Sequence, residues 1–235
     1  MPNRFTTTVK KIGAGTVPEK PLTVIIPVAG MGHRMKSYGP KCLLPANKKE
    51  TILEKTISNI KREYPYCDII VVAGFESEKV IKTLPSEVRV VENHQYESTN
   101  IAESIRIGIN AAANKHLLIV YGDLVFNVYS IRDITSDGPC AIIDSKERFK
   151  EDEVGVTVVD EKITNFAYGL PRKWSQIAYF EDKSFDILKE LCSDKRKSKL
   201  YPFELFNIII NSGIVMKAKE PSGMLIKEID SLKDL

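Results

Sequence analysis

The chain has 235 residues, of which 43% are hydrophobic and 28% are charged. These proportions are typical of a globular protein, and they exclude a collagen, a disordered chain and a disulfide-stapled miniprotein. The net charge is +3, and the first 21 residues carry all of that excess, with four basic residues and a single acid. The rest of the chain is therefore neutral, and we expect no nucleic acid among its partners.

The cysteines and the apolar runs predict a compartment and a domain plan. Cys42, Cys67, Cys140 and Cys192 are far apart and form no CxxC pair, which favours free thiols in the cytoplasm over a zinc site. No apolar run reaches the ~18 residues of a membrane span. We predict a flexible arm over residues 1–21 and a single domain over 22–235.

The first half of that domain alternates short apolar strands with amphipathic helices. The strands are predicted at 22–28, 68–73, 87–91 and 116–121, and the helices at 51–64, 77–84 and 100–113. Thr51 and Glu54 have the spacing of a capping box at the start of the first helix. Such alternation predicts βαβ units and a parallel sheet buried on both faces.

The second half, residues 124–235, has a different pattern. Short strands are predicted at 139–144, 153–159, 162–168, 176–180 and 213–218, with helices at 182–193 and 202–210. The links between strands resemble hairpins, so we expect antiparallel pairing. The predicted fold class is therefore α/β, a Rossmann-like and mostly parallel sheet flanked by helices, with a β-rich second half.

The loop after the first strand has the composition of an anion-binding loop. Gly30 and Gly32 let the backbone approach a ligand closely, and Arg34 can contact a phosphate with two hydrogen bonds. Pro40 and Lys41 follow, and a rigid turn there presents the ammonium group to the same ligand. A dinucleotide fingerprint is excluded because Met35 stands where a third glycine is needed, and no GxxxxGK[ST] occurs. A simple strand-to-helix turn is the alternative.

Three acids can complete a cation site beside this loop. Asp123 directly follows the strand at 116–121, and ligands of parallel sheets bind beyond the carboxyl ends of the strands. In an extended segment Glu228 and Asp230 point the same way. Mg²⁺ commonly uses one or two carboxylates together with substrate phosphates. The alternative is that Asp123 and Asp230 cap local structure.

Five segments together resemble a known family. VIIPVAGMGHRM, PKCLLP, NHQYESTNIAESI, YGD and EIDSLKDL resemble nucleotidyltransferases that form nucleoside-diphosphate sugars and alcohols, and most of all the branch of bacterial phosphocholine cytidylyltransferases. The resemblance implies the nucleotide-diphospho-sugar transferase fold, with a nucleotide-binding half at 22–123 and an acceptor-binding half at 124–235. It also implies Mg²⁺-dependent transfer of CMP from CTP to a small phosphorylated metabolite, such as phosphocholine or a phosphorylated amino acid. Pyrophosphate leaves, and the product serves cell-surface polysaccharide decoration.

The resemblance also assigns residues by position. The implied catalytic residues are Lys41, Arg34 and Asp123, and the implied metal ligands are Asp123 and Asp230. The implied nucleotide-binding residues are Ala29, Gly30, Met31, Gly32, His33, Arg34, Met35, Asn93, Thr99, Asn100 and Ser104. His33 stands where the family usually has Ser or Thr.

The acceptor site is the least defined part of the sequence. Its candidates are Tyr168, Arg172, Lys173, Trp174 and Glu228, and Tyr179 and Phe180 can join an aromatic cage for a quaternary ammonium group. Core packing is the alternative role for these rings. Two other functions remain open: a hexose-1-phosphate uridylyl- or thymidylyltransferase, and a non-catalytic nucleotide-binding module.

Overall fold

The structure is a computed structural model that describes residues 21–31, 39–146, 151–197, 199–230 and 234. Residues 1–20 of the predicted arm lie outside the described residues. So do Gly32, His33, Arg34 and Met35, whose predicted phosphate contacts stay predictions.

The first half forms the predicted parallel sheet. Its strands are β1 (Leu22–Pro27), β2 (Asp68–Ala73), β3 (Arg89–Glu92) and β4 (His116–Val120). They are parallel in the order β3-β2-β1-β4, so the chain first moves outward from β1 and then returns to its other side. The middle strands are buried on both faces, as their continuous apolar runs predicted.

Helices cover both faces of this sheet. Helix α1 (Ile52–Glu63) and the short α2 (Ser77–Ile81) contribute to the core on one face, and α3 (Ile101–Ala111) to the core on the other. The predicted capping box starts α1, because the Thr51 hydroxyl accepts from the Glu54 amide and the Glu54 carboxylate accepts from the Thr51 amide. Gly108 lets α3 approach β1: a Cβ there would lie 2.8 Å from a methyl group of Ile25.

The second half extends the same sheet instead of forming a separate one. Its strands are β5 (Leu124–Phe126), β6 (Cys140–Asp144), β7 (Val154–Val159), β8 (Lys162–Tyr168), β9 (Arg172–Phe180), β10 (Met216–Lys219) and β11 (Ile226–Glu228). A nine-stranded sheet results, in the order β3-β2-β1-β4-β9-β6-β10-β8-β7, and β5 pairs separately with β11. Most new pairings are antiparallel, but β10 and β6 are parallel. The α/β fold class is confirmed.

Two helices complete the second core. Helix α4 (Asp182–Ser193) and helix α5 (Pro202–Asn211) pack with α3 on one face of the sheet. Across the described ranges, none of the helices has the length and apolar character needed to cross a bilayer. The four cysteines are free thiols.

Candidate active site

The site lies where the carboxyl ends of β1 and β4 meet. This is the point at which the strand order reverses, and open α/β sheets bind ligands there. Ala29 and Gly30 follow β1, and Asp123 follows β4. The pairing of β11 with β5 carries the end of the chain to the same place, because Glu228 pairs with Leu124 and the Ile229 amide donates to the Asp123 carbonyl at 2.9 Å.

Lys41 joins the two distant aspartates. Its Nζ lies 3.1 Å from Oδ1 of Asp230 and 3.5 Å from Oδ2 of Asp123. Lys41 begins a short 3₁₀ turn, Lys41–Leu43, directly after Pro40. The contact between Lys41 and Asp230 therefore joins residues that are 189 positions apart in the chain.

Two of the acids at this site, Asp123 and Glu228, have raised pKa values. In the described part of the chain, Oδ1 of Asp123 is buried and has no hydrogen-bond partner. Burial, and secondarily Asp230, raises the pKa of Asp123 against the lowering effect of Lys41. Burial and the Asp123 charge raise the pKa of Glu228 to about 7. The pKa of Tyr121 is also well above its ordinary value, because of burial and these two carboxylates.

The carboxylates of Asp123 and Asp230 can serve as ligands of a hard divalent cation whose other ligands are phosphate oxygens. The described residues contain no cluster of three or more His, Cys, Asp or Glu side chains able to hold a metal ion alone. Two carboxylates do converge on the Lys41 ammonium, and one of them keeps a buried oxygen unused. Mg²⁺ needs only one or two protein carboxylates when phosphates and water supply the remaining ligands.

A cavity of about 320 Å³ opens on one side of Lys41, and we call it the glycine cavity. At Gly30, a Cβ would meet no described heavy atom within 4 Å, so the backbone borders open space. The structure brings many of the predicted nucleotide-binding and catalytic residues to its lining: Ala29, Gly30, Met31, Lys41, Asn93, Thr99, Asn100, Ser104 and Asp123.

A buried amide organises one wall of the glycine cavity. Asn93 is 2% exposed, and its Nδ2 donates to Oγ1 of Thr99 and to Oγ of Ser104, at 3.2 Å each. Its Oδ1 accepts from the Gln95 amide at 3.0 Å. The segment after β3 is therefore held against the start of α3, where hydroxyl and amide groups border the cavity.

A second cavity of about 410 Å³ opens on the other side of Lys41, and we call it the aromatic cavity. The two cavities share Lys41, Ile101 and Tyr121. Other residues that border the aromatic cavity are Tyr168, Trp174, Tyr201, Phe203, Asp152, Glu153, Lys173, Gln176, Glu228 and Asp230. The structure thus places Tyr168, Lys173, Trp174 and Glu228 together, as expected for the acceptor site.

The charges of the aromatic cavity are mostly negative. Among its described lining residues four carboxylates face two lysines. Lys173 is 7% exposed, and its Nζ lies 3.3 Å from a carboxylate oxygen of Glu153. Gln176 and Glu228 border the same cavity, and the Gln176 amide lowers the pKa of Glu228 against the effect of burial. One end of the cavity is therefore cationic at Lys41, and the wall beyond it is acidic and aromatic.

Three of the acceptor-site candidates lie elsewhere. Arg172 is exposed and does not belong to the described lining of the aromatic cavity, whereas the next two residues, Lys173 and Trp174, are buried and border it. Tyr179 and Phe180 are buried near the far end of β9, and the Tyr179 hydroxyl donates to Glu181 and contacts His116. The core-packing alternative is correct for these two rings.

Several lining residues had no clear signal in the sequence. Gln176 lies at an irregularity of β9 with φ of +57°, and together with Ser175 it breaks the apolar run between Trp174 and Ile177. A polar residue within such a run is the signal that could have identified it. Tyr201 and Phe203, at the start of α5, reach the cavity through the packing of that helix and of the loop before it, which periodicity does not report.

Comparison with known proteins agrees with this geometry. The family model described as MobA-like NTP transferase domain matches residues 24–202. The bifunctional protein GlmU of Lactococcus lactis is 26% identical over 213 residues, which cover 83% of this chain and 46% of that protein. A 2-C-methyl-D-erythritol 4-phosphate cytidylyltransferase of Haemophilus influenzae is 32% identical over 104 residues, 43% of this chain and 44% of that protein.

A solved structure shares the whole architecture. A CTP:phosphocholine cytidylyltransferase from Streptococcus pneumoniae superposes with a TM-score of 0.76 at 20% identity, covering 92% of this chain and 96% of that chain. At this identity the likeness establishes the fold alone. The chain spans less than half the length of the curated relatives named above.

Proposed function

The chain belongs to the family of MobA-like NTP transferase domains, and on that premise we propose that it transfers CMP from CTP to a small phosphorylated acceptor. The observation that carries the proposal is the position of Lys41 between two cavities, with Asp123 and Asp230 on its ammonium group. The glycine cavity would hold the nucleotide, and the aromatic cavity would hold the acceptor. The shared edge at Lys41 is then where the two substrates meet.

The chemistry requires little from the protein beyond position and charge. A phosphate oxygen of the acceptor attacks the α-phosphorus of the nucleotide, a new P–O bond forms, and the bond to the β-phosphate oxygen breaks. Pyrophosphate leaves with the electron pair. The nucleophile is already an anion, so no general base is needed.

Each named side chain has a task in this reaction. Lys41 neutralises the α-phosphate as charge builds on it, and Asp123 and Asp230 are the residues that would hold Mg²⁺. When bound, Mg²⁺ screens the phosphate charges and orients the triphosphate. Oδ1 of Asp123 is buried and has no hydrogen-bond partner among the described residues, and this unused oxygen supports a cation at this position.

The aromatic cavity supports an acceptor that carries both a phosphate and a positive charge. Its phosphate would lie at Lys41, and its cationic group would face the acidic wall formed by Asp152, Glu153 and Glu228. Tyr168 and Tyr201 are half exposed there and offer ring faces to a cation. Phosphocholine and phosphorylated amino compounds meet these requirements, whereas a hexose 1-phosphate brings no positive charge to the carboxylates of this wall. Action in the cytoplasm and service to surface polysaccharide stay predictions.

A pyrophosphate-release screen tests the proposal. Four nucleoside triphosphates are paired with phosphocholine, phosphoethanolamine, phosphoserine and glucose 1-phosphate in the presence of Mg²⁺. We expect turnover with CTP and a cationic acceptor. Turnover with UTP or dTTP and glucose 1-phosphate would instead establish the sugar nucleotidyltransferase.

A binding measurement separates catalysis from sensing. Calorimetric binding of CTP by folded protein, with no turnover in any pair, would favour the non-catalytic module. Absence of both binding and turnover would refute the proposal.

A further inference from the structure

Asn100 connects the two cavities through its side chain. Its Nδ2 donates to the carbonyl of Leu200 at 2.8 Å and to the carbonyl of Lys199 at 3.1 Å. Its Oδ1 accepts from the Ala102 amide at 2.9 Å and so caps α3. One side chain therefore holds the start of α3 and the loop before α5 together, across 99 and 100 positions of sequence.

The two segments that Asn100 joins are walls of different cavities. Thr99 and Ser104 belong to the same segment as Asn100 and border the glycine cavity. Tyr201 and Phe203 follow Leu200 and border the aromatic cavity. The rings of Tyr201 and Phe203 are stacked 6.0 Å apart, and Tyr168 meets Phe203 at 5.3 Å. A displacement of Leu200 therefore moves a connected set of rings.

We propose that Asn100 is a positioning residue that fixes the aromatic wall of the acceptor site against the nucleotide-binding wall. This inference rests on the proposed function for the identity of the two sites. Both polar atoms of Asn100 are already engaged within the protein. Its main effect is therefore on the affinity for the acceptor, and its effect on the affinity for the nucleotide is small.

The Oδ1 and Nδ2 atoms of Asn100 differ in how easily the side chain of another residue can replace them. The Oδ1 cap satisfies an amide at the helix start, and Asp or Ser can replace it there at little cost. The Nδ2 group makes two hydrogen bonds to carbonyls of the loop before α5, and these bonds need an N–H donor at the end of the side chain. A carboxylate at this position would keep the cap and repel both carbonyls.

Asn100→Asp is therefore the informative variant, with Asn100→Ser as a second one that keeps a cap and is too short to bridge. Asn114→Asp is the matched control. Asn114 also accepts from a backbone amide two residues ahead, at His116, but its Nδ2 donates to the Thr23 hydroxyl at 2.9 Å. That hydroxyl donates to Oδ2 of Asp68 at 3.5 Å and can turn to donate to the new carboxylate instead, and it lies at the opposite end of the sheet from the site.

Steady-state kinetics with CTP and the best acceptor of the screen give the first readout. We expect both Asn100 variants to raise the KM for the acceptor at least tenfold, and we expect Asn100→Ser, which adds no charge beside the glycine cavity, to change the KM for CTP less than twofold. The control should match the wild type. An increase in the KM for CTP alone, or no change in either constant, would overturn the inference.

Amide hydrogen exchange gives a readout that does not depend on turnover. In ligand-free protein, peptides that cover residues 199–205 should exchange faster in Asn100→Asp than in the wild type or in Asn114→Asp, while peptides of α3 should not. Equal exchange in all three proteins would refute the positioning role. Faster exchange in a protein that turns over no substrate pair would keep this role and reject the proposed function.

Discussion

Asp123→Asn should make the protein more stable and abolish its activity. The carboxylate of Asp123 has a buried oxygen without a hydrogen-bond partner among the described residues, and burial raises its pKa. An unsatisfied buried polar atom costs about 1–3 kcal/mol. The Asn amide group keeps the shape, removes the charge and can donate to the neighbouring carboxylates, while Lys41 keeps Asp230 at 3.1 Å.

The expected gain is smaller than this cost because the attraction between Lys41 and Asp123 at 3.5 Å is lost. We expect a net gain of about 1 kcal/mol, which corresponds to a rise in Tm of about 2–4 °C for a chain of this size. Loss of a charged group that acts in the transition state should lower kcat/KM by about a thousandfold or more, about 4 kcal/mol.

Thermal unfolding measures the gain in stability, the same measurement with CTP and Mg²⁺ measures ligand binding, and the pyrophosphate assay measures the loss of kcat/KM. Ligands at 100 times their Kd stabilise by about 2.7 kcal/mol, and this gain should be present in the wild type and largely absent in the variant. Asp137→Asn is the control, because Lys219 and Ser136 lower the pKa of Asp137 and its loss should not raise Tm. A variant that is less stable than the wild type in metal-free buffer, or that retains turnover, would refute the reasoning.

Further variants test other parts of the site and fold. Lys41→Met should lower kcat about 10²–10³-fold, and a smaller loss in the pyrophosphate assay would remove Lys41 from the reaction. Gly30→Leu should unfold like the wild type but weaken CTP binding at least tenfold in calorimetry, because the new side chain enters the glycine cavity. Gly108→Ala should instead lose about 1–3 kcal/mol of stability in urea unfolding, because its Cβ would lie 2.8 Å from Ile25. Glu228 has a pKa raised from 4.5 to about 7, so the wild type should lose unfolding free energy as pH rises from 4.5 to 7. Glu228→Gln should flatten that slope, and an unchanged slope would contradict the assignment.

The first half of the fold was predictable because its signals are local. Continuous apolar runs identified β1, β2 and β4, and capping residues identified α1 and α3, whereas β3 was predicted at 87–91 and lies at Arg89–Glu92. Strands β5 and β11 have three residues each, which is too short for a periodic pattern. The beginning of β9 was missed because Arg172 and Lys173 precede its apolar part.

The site was predictable to the extent that its residues follow strands. The rule for the carboxyl ends of parallel strands placed Asp123 and the glycine loop at one edge, and the structure brings Asp230 to the same ammonium group. Their roles stay predictions. The ring wall of Tyr201 and Phe203 depends on how a loop packs over the sheet, and a single sequence contains no local signal for that packing.

The position of Trp174 offers a way to follow ligand binding by intrinsic fluorescence. It is the one tryptophan of the chain, it is 4% exposed, and it borders the aromatic cavity. Its ring lies 5.5 Å from that of Tyr121, which borders both cavities. Intrinsic fluorescence excited at the indole band therefore comes from a single known position, and we expect its intensity and wavelength to change when a ligand fills the aromatic cavity, without any attached dye.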